Sequence, residues 1–379
     1  MRIGIDARFA VHDRRGIGQY VLSLVTNLAL LDEVNQYILY IDGADAERVL
    51  PNKSNMLVKI LQPSNYFLWE QVVLPIRVLR DNIDVLHCTG NTAPVFLCNK
   101  TKLVITVHDI MYLKKYSEVP KSPVLHQRLG RWYRKMIVPR AMRNAAKVIT
   151  VSNYSLSDIK KSIPALKEHM IAVTYNATQE IFGRPDVIDV DGTRKKYNIC
   201  KEYILTVGGT DPRKNLEFTI VNYLKMKTAG KIKENLVVVG VHNWKQSQCY
   251  RLVQAANCAG DVVFMDFVAD KELAALYKGA KAVLYLSLYE GFGIPPLEAM
   301  TSGVPVITSH TTSIPEIVGN AALMIDPTDE KAFEAALTGL LNDENMRKDL
   351  IRRGLEQAKR FSWKKTAGET LEIYESLLR

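Results

Sequence analysis

Residues Leu286–Met300 read LSLYEGFGIPPLEAM and continue the apolar run AVLYL at residues 282–286. The run predicts a buried parallel strand, because it is short, apolar and uncharged. A glycine-containing turn follows, and the pair Pro295-Pro296 marks a helix start, where a missing N–H costs nothing. The stretch therefore predicts a strand, a tight loop and a helix N-terminus in succession.

Two carboxylates flank this loop, Glu290 before it and Glu298 in the first turns of the helix. We expect the backbone N–H groups of Phe292, Gly293 and Ile294 to point at an anion, and the helix dipole favours a phosphate there. The carboxylates can then hold hydroxyl groups on either side of that phosphate. A ligand with hydroxyl, diphosphate and hydroxyl in sequence is a nucleotide sugar, so a nucleotide-sugar site is expected here.

The 379 residues are enough for two domains with full cores. Short β-rich runs alternate with amphipathic helices in both halves, which predicts one parallel sheet covered on both faces in each half. Residues 183–192, rich in Pro, Gly and Asp, suit a linker. We therefore expect an α/β chain of two doubly wound domains facing a cleft, with ligands at the carboxyl ends of the strands.

Composition excludes several classes of protein. Apolar residues make up 47% and charged residues 24%, as in ordinary globular chains. The sequence contains no run of about 18 apolar residues, so no transmembrane helix is predicted. The start lacks the apolar segment of a signal peptide. The five cysteines form no C-x-x-C pair, so a reducing cytoplasm fits better than a disulfide framework or a zinc site.

The net charge of +10 is concentrated in residues 111–150, which hold ten Lys and Arg against one acidic residue. Within this region residues 125–140 are amphipathic, with basic side chains recurring at helical spacing. A solvated helix face and a peripheral helix on an anionic membrane are the two interpretations, and the concentration of charge favours the membrane. Nucleic acid is not expected as a partner, because no RNA- or DNA-binding motif is visible.

The organisation resembles the retaining GT-B glycosyltransferases of family 4, which include many bacterial mannosyltransferases for polysaccharides. The resemblance runs over nearly the whole chain. Its strongest marks are the E-x7-E pattern from Glu290 to Glu298 and the Glu-Gly-Phe-Gly run with its following Pro. It implies a Rossmann-like acceptor-binding domain at 1–182, a Rossmann-like donor-binding domain at 183–360, and a C-terminal helix at 361–379 that packs back on the first domain.

The resemblance assigns the donor diphosphate to the loop VGGTDPRKN that follows a predicted strand. Arg213 and Lys214 are its cations, and glycines such as Gly209 let the backbone approach a phosphate closely. Many relatives carry an Arg where this chain has Gly209, so the phosphate charge must rest on Arg213, Lys214 and the helix N-terminus. Glu298 is assigned to the ribose hydroxyls, and Glu290 to the 3-hydroxyl side of the sugar ring.

Four further positions follow from the resemblance. Phe267 and Val268 correspond to main-chain groups that read the nucleotide base, with core packing as the alternative for their side chains. Gly16 is expected to bring its backbone close to the donor phosphate or the acceptor. His108, which follows a predicted strand, corresponds to a functional histidine that hydrogen-bonds the transferred sugar. Asp109 beside it is interpreted as a turn former rather than as its orienting partner.

No catalytic metal and no cofactor are expected. Asp189-Val-Asp191 matches the D-x-D pattern with which many glycosyltransferases hold a divalent metal. It lies in the polar stretch at residues 183–192 instead of following a predicted core strand. Two solvated acids are therefore the favoured interpretation.

The resemblance implies a metal-independent, retaining hexosyltransferase in cell-surface polysaccharide synthesis, such as that of lipopolysaccharide. The favoured donor is GDP-mannose, with glucose, galactose and rhamnose donors left open, and the acceptor is a glycan or lipid-linked glycan. A nucleotide-sugar epimerase or phosphorylase of the same fold is the competing class. A binding subunit without activity is disfavoured, because His108, Lys214, Glu290 and Glu298 are all present. The expected location is the cytoplasm, with peripheral binding at the inner face of the cell membrane.

Overall fold

A computed structural model describes residues 1–11, 16–43, 49–98, 100–115 and 125–378. The chain forms two compact units, each with its own parallel sheet. Unit 1 consists of the described residues of 1–114 and 125–177 together with 361–378, and unit 2 of Lys115 and residues 178–360. In the described part of the chain, no helix combines the length and the apolarity needed to cross a bilayer.

Unit 1 contains a seven-stranded sheet in the order β3-β2-β1-β4-β5-β6-β7. The strands are β1 (Arg2–Asp6), β2 (Gln36–Ile41), β3 (Met56–Ile60), β4 (Val85–Cys88), β5 (Lys102–Val107), β6 (Lys147–Thr150) and β7 (Ile171–Val173). The helices are α1 (Ile17–Leu31), α2 (Tyr66–Leu68), α3 (Leu74–Arg80), α4 (Leu125–Asn144), α5 (Asn153–Ser162) and α14 (Trp363–Ser376). Helices cover both faces of the sheet, which explains why its inner strands are continuous apolar runs.

Two features of unit 1 matter for the site. A π-helical turn, Trp69–Val73, joins α2 and α3 into one continuous helix over residues 66–80. The C-terminal helix α14 packs against α1, and its Trp363, Ala367 and Tyr374 are buried in the same core as β1 and β2.

Unit 2 contains a six-stranded sheet in the order β10-β9-β8-β11-β12-β13. The strands are β8 (Tyr203–Val207), β9 (Asn235–Val239), β10 (Val262–Met265), β11 (Ala282–Tyr285), β12 (Val306–Ser309) and β13 (Leu323–Ile325). The helices are α6 (Val190–Lys196), α7 (Leu216–Thr228), α8 (Gln248–Ala255), α9 (Asp270–Lys278), α10 (Ile294–Thr301), α11 (Ile314–Val318), α12 (Glu330–Asn342) and α13 (Glu344–Ala358).

Both sheets grow first in one direction and then in the other. The reversal falls between β1 and β4 in unit 1 and between β8 and β11 in unit 2. In doubly wound folds the loops at the carboxyl ends of the strands diverge at this switch point and leave a crevice for a ligand. The two switch points are therefore the places where ligand contacts are expected.

The predicted α/β class with two doubly wound sheets is confirmed, and the apolar run AVLYL contains β11. Two strands are not obvious from the sequence. β12 begins only at Val306, although residues 304–307 read VPVI, because Pro305 has no N–H to donate to a ladder. The short edge strand Ile171–Val173 was not predicted, because three residues carry too little periodicity.

The polar stretch at residues 183–192 is structured. Short 3₁₀ turns at Glu180–Gly183 and Pro185–Val187 lead into α6. Asp189 is the N-cap of α6, and its carboxylate accepts a hydrogen bond from the N–H of Gly192 at 2.8 Å. Helix capping therefore accounts for the first acid of the D-x-D match.

Replacing Trp363 by Ala should lower the free energy of unfolding by about 3–5 kcal/mol, because a large side chain leaves the core shared by α14 and β1. The exposed neighbour Lys364 is the control, and Lys364→Ala should change stability by less than about 0.5 kcal/mol. Urea unfolding followed by far-ultraviolet circular dichroism measures both. Equal stability of the two variants would contradict the packing of α14.

Candidate active site

The loop after β8 (residues 208–215) and the loop after β11 (residues 286–293) leave the sheet of unit 2 at its switch point, because β8 and β11 are neighbours. We call them the β8 loop and the β11 loop. Arg213 and Lys214 lie in the β8 loop, and Glu290 lies in the β11 loop. The structure thus brings Glu290 to the adjacent pair Arg213 and Lys214, although Lys214 is 76 residues away in the sequence.

Glu290 is the centre of a polar network. Its Oε1 accepts hydrogen bonds from Lys214 Nζ at 2.7 Å and from the Tyr285 hydroxyl at 2.8 Å. The same oxygen accepts from the Ser287 hydroxyl at 2.6 Å, while Oε2 accepts from Arg213 Nη1 at 3.2 Å. Glu290 is buried, with 7% of the residue exposed. These contacts, rather than water, therefore stabilise its charge.

The ion pairs decide the protonation of Glu290. Burial alone would raise the pKa of its carboxyl group, but the charges of Lys214 and Arg213 lower that pKa to about 2. Arg213 is also held by Asp211, whose Oδ2 accepts from Arg213 Nε at 2.9 Å. Glu290 is therefore an ionised hydrogen-bond acceptor that is bound to two cations.

The three residues predicted to bind phosphate end the β11 loop and begin α10. The Ser313 hydroxyl donates to the carbonyl oxygen of Phe292 at 2.8 Å. Gly293 is the N-cap of α10 with φ of 106°, and a Cβ there would lie 2.5 Å from Ile314 Cδ1. Glycine is therefore required at this turn. Ile294 is the first residue of α10, whose positive dipole end lies at the loop.

Glu298 lies on α10 and has a different environment from Glu290. Its Oε2 accepts a hydrogen bond from the hydroxyl of Tyr277, a residue of α9, at 2.9 Å. Burial raises the pKa of Glu298 to about 7, with a contribution from Asp270 and against the effect of the Tyr277 bond. One predicted carboxylate is thus bound to cations and the other to a phenol.

Gly209, Phe267 and Val268, the other predicted donor contacts in unit 2, lie at the same edge of its sheet. The N–H of Gly208 donates to the carbonyl of Val239 at 3.0 Å, and a Cβ at Gly209 would lie 3.4 Å from the carbonyl oxygen of Gly240. Gly240 in turn donates to the carbonyl of Met265 at 3.1 Å. Close backbone contacts therefore join the ends of β8, β9 and β10.

Phe267 and Val268 follow β10 at this edge. The Phe267 side chain is exposed, and the N–H of this residue donates to Asp266 Oδ1 at 2.8 Å. Val268 is buried. The core-packing interpretation therefore applies to Val268 and not to Phe267.

His108 of unit 1 follows β5 and is buried. Its Nε2 lies 2.9 Å from the carbonyl oxygen of Thr89, and its backbone N–H donates to Asn91 Oδ1 at 2.6 Å. Since a carbonyl only accepts, Nε2 carries the ring proton and Nδ1 carries the lone pair. Burial lowers the pKa of the imidazole. His108 is therefore a neutral, oriented ring whose Nδ1 can accept a hydrogen bond.

Asp109 follows this histidine in the sequence, and Gly16 precedes the helix whose Tyr20 contacts its ring. Asp109 Oδ1 accepts from the N–H of Met111 at 3.1 Å, a local turn contact that supports the turn-former interpretation. Gly16 is the N-cap of α1 with φ of 41°. Tyr20, one turn further on, packs its ring edge-on against His108 with centroids 4.7 Å apart. The start of α1 and the end of β5 are therefore joined through Tyr20.

The sequence did not identify the side chains that hold these groups. In unit 2 they include Tyr277, Tyr285, Ser287 and Ser313. In unit 1 the buried His87 bonds the Tyr374 hydroxyl at 2.5 Å and the Thr106 hydroxyl at 2.7 Å. Burial lowers the pKa of His87 to about 3, so it is a neutral core residue. The one sequence feature that could have pointed to Tyr285, Ser287 and His87 is their position at or near the end of a strand.

The predicted basic helix is α4, which is longer than residues 125–140. Residues 116–124 of the basic region lie outside the described residues. The exposed side chains of α4 include both basic and apolar ones, namely Arg128, Leu129, Trp132, Lys135, Met136, Arg140 and Arg143. Arg131 instead donates to the carbonyl oxygen of Lys114 at 2.6 Å.

The raised pKa of Glu298 predicts that unfolding depends on pH. The folded value is about 7 and the ordinary value is 4.5, so the folded state binds the proton more tightly. Stability should therefore fall as pH rises from 4.5 to 7, and Glu298→Gln should abolish this loss. At pH 8 the variant should be more stable than the unaltered protein by about 1–3 kcal/mol.

Urea unfolding at pH 5 and pH 8 measures this difference. Glu356→Gln, which changes an exposed carboxylate of α13, is the control and should behave like the unaltered protein at both pH values. An advantage of Glu298→Gln that is the same at both pH values would contradict the assignment.

Two family models match the chain. The model described as Glycosyltransferase Family 4 matches residues 14–179, and the model described as Glycosyl transferases group 1 matches residues 190–357. Together they leave only the two ends of the chain and residues 180–189 unmatched. Each match falls largely on one of the two units.

Relatives and solved structures agree with these matches. The chain is 29% identical to O-antigen chain mannosyltransferase B of Escherichia coli, over 96% of each chain. It is also 29% identical to O-antigen chain mannosyltransferase RfbU of Salmonella typhimurium, over 86% of this chain and 87% of the relative. HepE of Anabaena, solved in complex with UDP and glucose, has a TM-score of 0.75 at 15% identity, over 99% of this chain and 100% of HepE. The chain therefore belongs to the GT-B glycosyltransferases, with a family 4 first half and a group 1 second half.

Proposed function

We propose that this glycosyltransferase transfers mannose, with retention of configuration, from GDP-mannose to a glycan or lipid-linked glycan in the synthesis of a cell-surface polysaccharide. One observation carries the proposal. At the switch point of unit 2, a buried carboxylate, two cations and a helix N-terminus stand on adjacent loops. This set of groups suits a ligand that contains both a diphosphate and sugar hydroxyls. In this proposal unit 2 binds the donor and unit 1 the acceptor.

The roles follow from the chemistry of each group. Lys214, Arg213 and the amides of Gly293 and Ile294 bind the diphosphate. The Oε2 of Glu290 accepts a sugar hydroxyl, since in the described structure Oε1 has three donors and Oε2 has one.

The other predicted residues complete the donor site. Glu298 accepts the ribose hydroxyls, and the main chain at Phe267 and Val268 contacts the base. Gly16 gives its backbone to the donor phosphate or the acceptor. His108 accepts a hydroxyl of the transferred sugar at Nδ1, because Nε2 already donates to Thr89.

The proposed reaction is a substitution on one face of the sugar. The bond between the anomeric carbon and the phosphate oxygen breaks, and the acceptor oxygen forms its bond from the same face. The acceptor proton passes to the departing phosphate oxygen. Cations and amides stabilise the leaving diphosphate, so electrostatics and positioning lower the barrier. Glu290 is not a nucleophile in this scheme, because a carboxylate bound to two cations is a poor one.

Mannose is proposed over other hexoses because O-antigen mannosyltransferases of two bacteria align with most of this chain. The fold alone does not choose a donor, since HepE, of the same fold, was solved with UDP and glucose. Binding of nucleotide sugars therefore tests the proposal directly.

A thermal-shift panel of GDP-mannose, UDP-glucose and GDP should show the largest stabilisation with GDP-mannose. At a concentration of 100 times Kd the gain is about 2.7 kcal/mol. Lys214→Ala and Glu298→Ala should each lose most of this shift. Lys225→Ala, an exposed lysine of α7, is the matched control and should keep it. A larger shift with UDP-glucose would overturn the donor assignment.

Turnover should separate binding residues from residues that act on the sugar. Glu290→Gln and His108→Ala should keep a shift with GDP-mannose, measured from their own baselines, and should release GDP about 100-fold more slowly. A lipid extract supplies the acceptor in this assay. Full turnover in Glu290→Gln would contradict its role. A rearranged nucleotide sugar as the product would indicate an epimerase instead.

We also propose that unit 1 binds an anionic membrane, through a wider surface than the basic helix. On the helix over residues 66–80, Leu68, Val72, Ile76 and Leu79 are all exposed and recur at helical spacing. Phe96 is 86% exposed.

Exposed apolar side chains stand on three neighbouring elements: the helix over residues 66–80, the loop that contains Phe96, and α4. The backbone of Val95 bonds Gln71 of the helix over 66–80 and Asn144 of α4, at 3.0 Å each, which places Phe96 beside both helices. We define the apolar face as the side chains Phe67, Leu68, Val72, Ile76, Leu79, Phe96, Leu129, Trp132 and Met136. Arg128, Lys135 and Arg140 are exposed on α4 beside it. Apolar side chains with adjacent cations suit a bilayer of anionic lipid.

Vesicle flotation tests this surface with phosphatidylcholine alone and with added phosphatidylglycerol. The unaltered protein should float mainly with the anionic vesicles. The combined change Arg128→Gln, Lys135→Gln and Arg140→Gln should weaken that binding roughly 100-fold, at about 1 kcal/mol per charge. The combined change Leu68→Ser, Val72→Ser and Ile76→Ser should reduce flotation with both vesicle types.

The control changes two exposed apolar residues elsewhere in unit 1, Leu30→Ser and Val34→Ser. It should float like the unaltered protein. Equal flotation with neutral and anionic vesicles would contradict the electrostatic part of the proposal. Full flotation of the Leu68, Val72 and Ile76 variant would contradict the apolar part.

A further inference from the structure

The switch point of unit 1 holds a buried ion cluster that no predicted role explains. Arg8, just after β1, donates through Nε to Asp6 Oδ1 at 3.0 Å and through Nη2 to Asp6 Oδ2 at 2.8 Å. The same Nη2 donates to Glu70 Oε2 at 3.2 Å. All three residues are buried. The Arg8 guanidinium also stacks 3.8 Å from the centroid of the Trp69 ring.

Glu70 reaches this point from the π-helical turn of the helix over residues 66–80. Its Oε2 accepts a hydrogen bond from the Thr92 hydroxyl at 2.5 Å, and its Oε1 accepts from the Tyr133 hydroxyl at 2.7 Å. One buried carboxylate therefore joins the end of β1, the loop after β4, and α4.

The loop after β4, residues 89–92, is also the loop that holds His108. Thr89 accepts from the ring of His108, and Asn91 accepts from its backbone N–H. The Thr89 hydroxyl donates to the carbonyl of Asp6 at 2.6 Å. A Cβ at Gly90 would lie 2.0 Å from the Phe9 ring. Thr89 and Asn91 thus contact β1 and His108, Gly90 packs against Phe9, and Thr92 is held by its bond to the Glu70 carboxylate.

We propose that Glu70 is a positioning residue for His108 and acts through the loop over residues 89–92. The inference rests on the proposed role of His108 at the transferred sugar. A charge-assisted bond to Thr92 holds one end of the loop, while the other end orients the imidazole. Without that bond the loop gains freedom, and the Nε2 bond from His108 to Thr89 loosens. The ring then loses the orientation that presents Nδ1.

Thr92→Val tests the inference without removing the buried charge. The valine keeps the volume and loses the hydroxyl, whereas Thr92→Ser keeps the hydroxyl and should restore behaviour. Because the Thr92 hydroxyl also contacts the Tyr66 hydroxyl at 2.7 Å, Tyr66→Phe is the matched control for that second contact. Tyr133→Phe removes a different donor to Glu70 and leaves the loop contact in place.

Two readouts are used on the full chain. NMR of protein with ¹³C- and ¹⁵N-labelled histidine rings reports the tautomer of His108, with its signals assigned by loss in His108→Gln. GDP release from GDP-mannose with a lipid extract reports turnover. Thr92→Val should convert the single Nε2–H tautomer to a mixture and lower kcat about 3- to 10-fold with KM unchanged. Thr92→Ser, Tyr66→Phe and Tyr133→Phe should resemble the unaltered protein in both measurements.

The outcomes separate this inference from the proposed function. An unchanged His108 tautomer in Thr92→Val overturns the inference, whatever happens to stability. The same tautomer change in Tyr66→Phe as in Thr92→Val also overturns it, since the effect would not pass through Glu70. Normal turnover in His108→Ala would instead reject the role of His108. If GDP-mannose is not turned over with the lipid extract, the thermal-shift panel decides the donor and the NMR result alone decides the inference.

Discussion

A carboxylate buried at the switch point of a parallel sheet must be compensated by nearby donors, and this requirement organises unit 2. Glu290 is held by Lys214 and Arg213 from the β8 loop and by Tyr285 and Ser287 from its own strand and loop. The contacts fix the two loops relative to each other across adjacent strands. The positions of the cations, of the helix N-terminus at Gly293 and of the remaining acceptor oxygen all follow from that arrangement.

Unit 1 meets the same requirement with a different result. Its switch point also carries a buried acid, Glu70, beside an arginine, Arg8. Arg8 is enclosed by Asp6 and the Trp69 ring, so its charge is used within the fold. In unit 2 the side chains of Lys214 and Arg213 each keep 19% exposure, which leaves their charge accessible to a ligand. The two sheets share a strand order apart from the extra edge strand β7, and the exposure of their cations distinguishes the candidate site of unit 2 from the internal cluster of unit 1.

Most of the fold could be predicted from the sequence, because strands buried on both faces are short apolar runs that differ clearly from the helices between them. The resemblance to family 4 supplied Arg213, Lys214, Glu290 and Glu298 as candidate site residues, and the structure joins the first three in one network. The sequence could not supply the partners of these residues. Tyr277 and Ser313 stand in helix-forming or turn-forming sequence with no local signal, and their roles depend on contacts across the sheet.

Glu70 shows the same limit more sharply. A lone acid in the apolar run of residues 66–80 is normally assigned to a solvated position, yet its carboxylate lies in the core, on the π-helical turn at Trp69–Val73. The exposed apolar residues of that helix were hidden for the opposite reason. A hydrophobic residue on a helix is normally assigned to the core, and only the packing of Leu74 and Val78 shows which face is inside.

The π-helical turn has a geometric consequence of its own. A π turn holds one residue more than an α turn, and each residue of a helix advances its side chain by about 100°. Residues four apart nevertheless stay on one face of the helix over residues 66–80, on both sides of this turn. Glu70, Leu74 and Val78 are all buried, and Leu68, Val72 and Ile76 are all exposed. The helix therefore places its one acid inside unit 1 and a row of apolar side chains outside, the reverse of what an ordinary amphipathic helix does with charged and apolar residues.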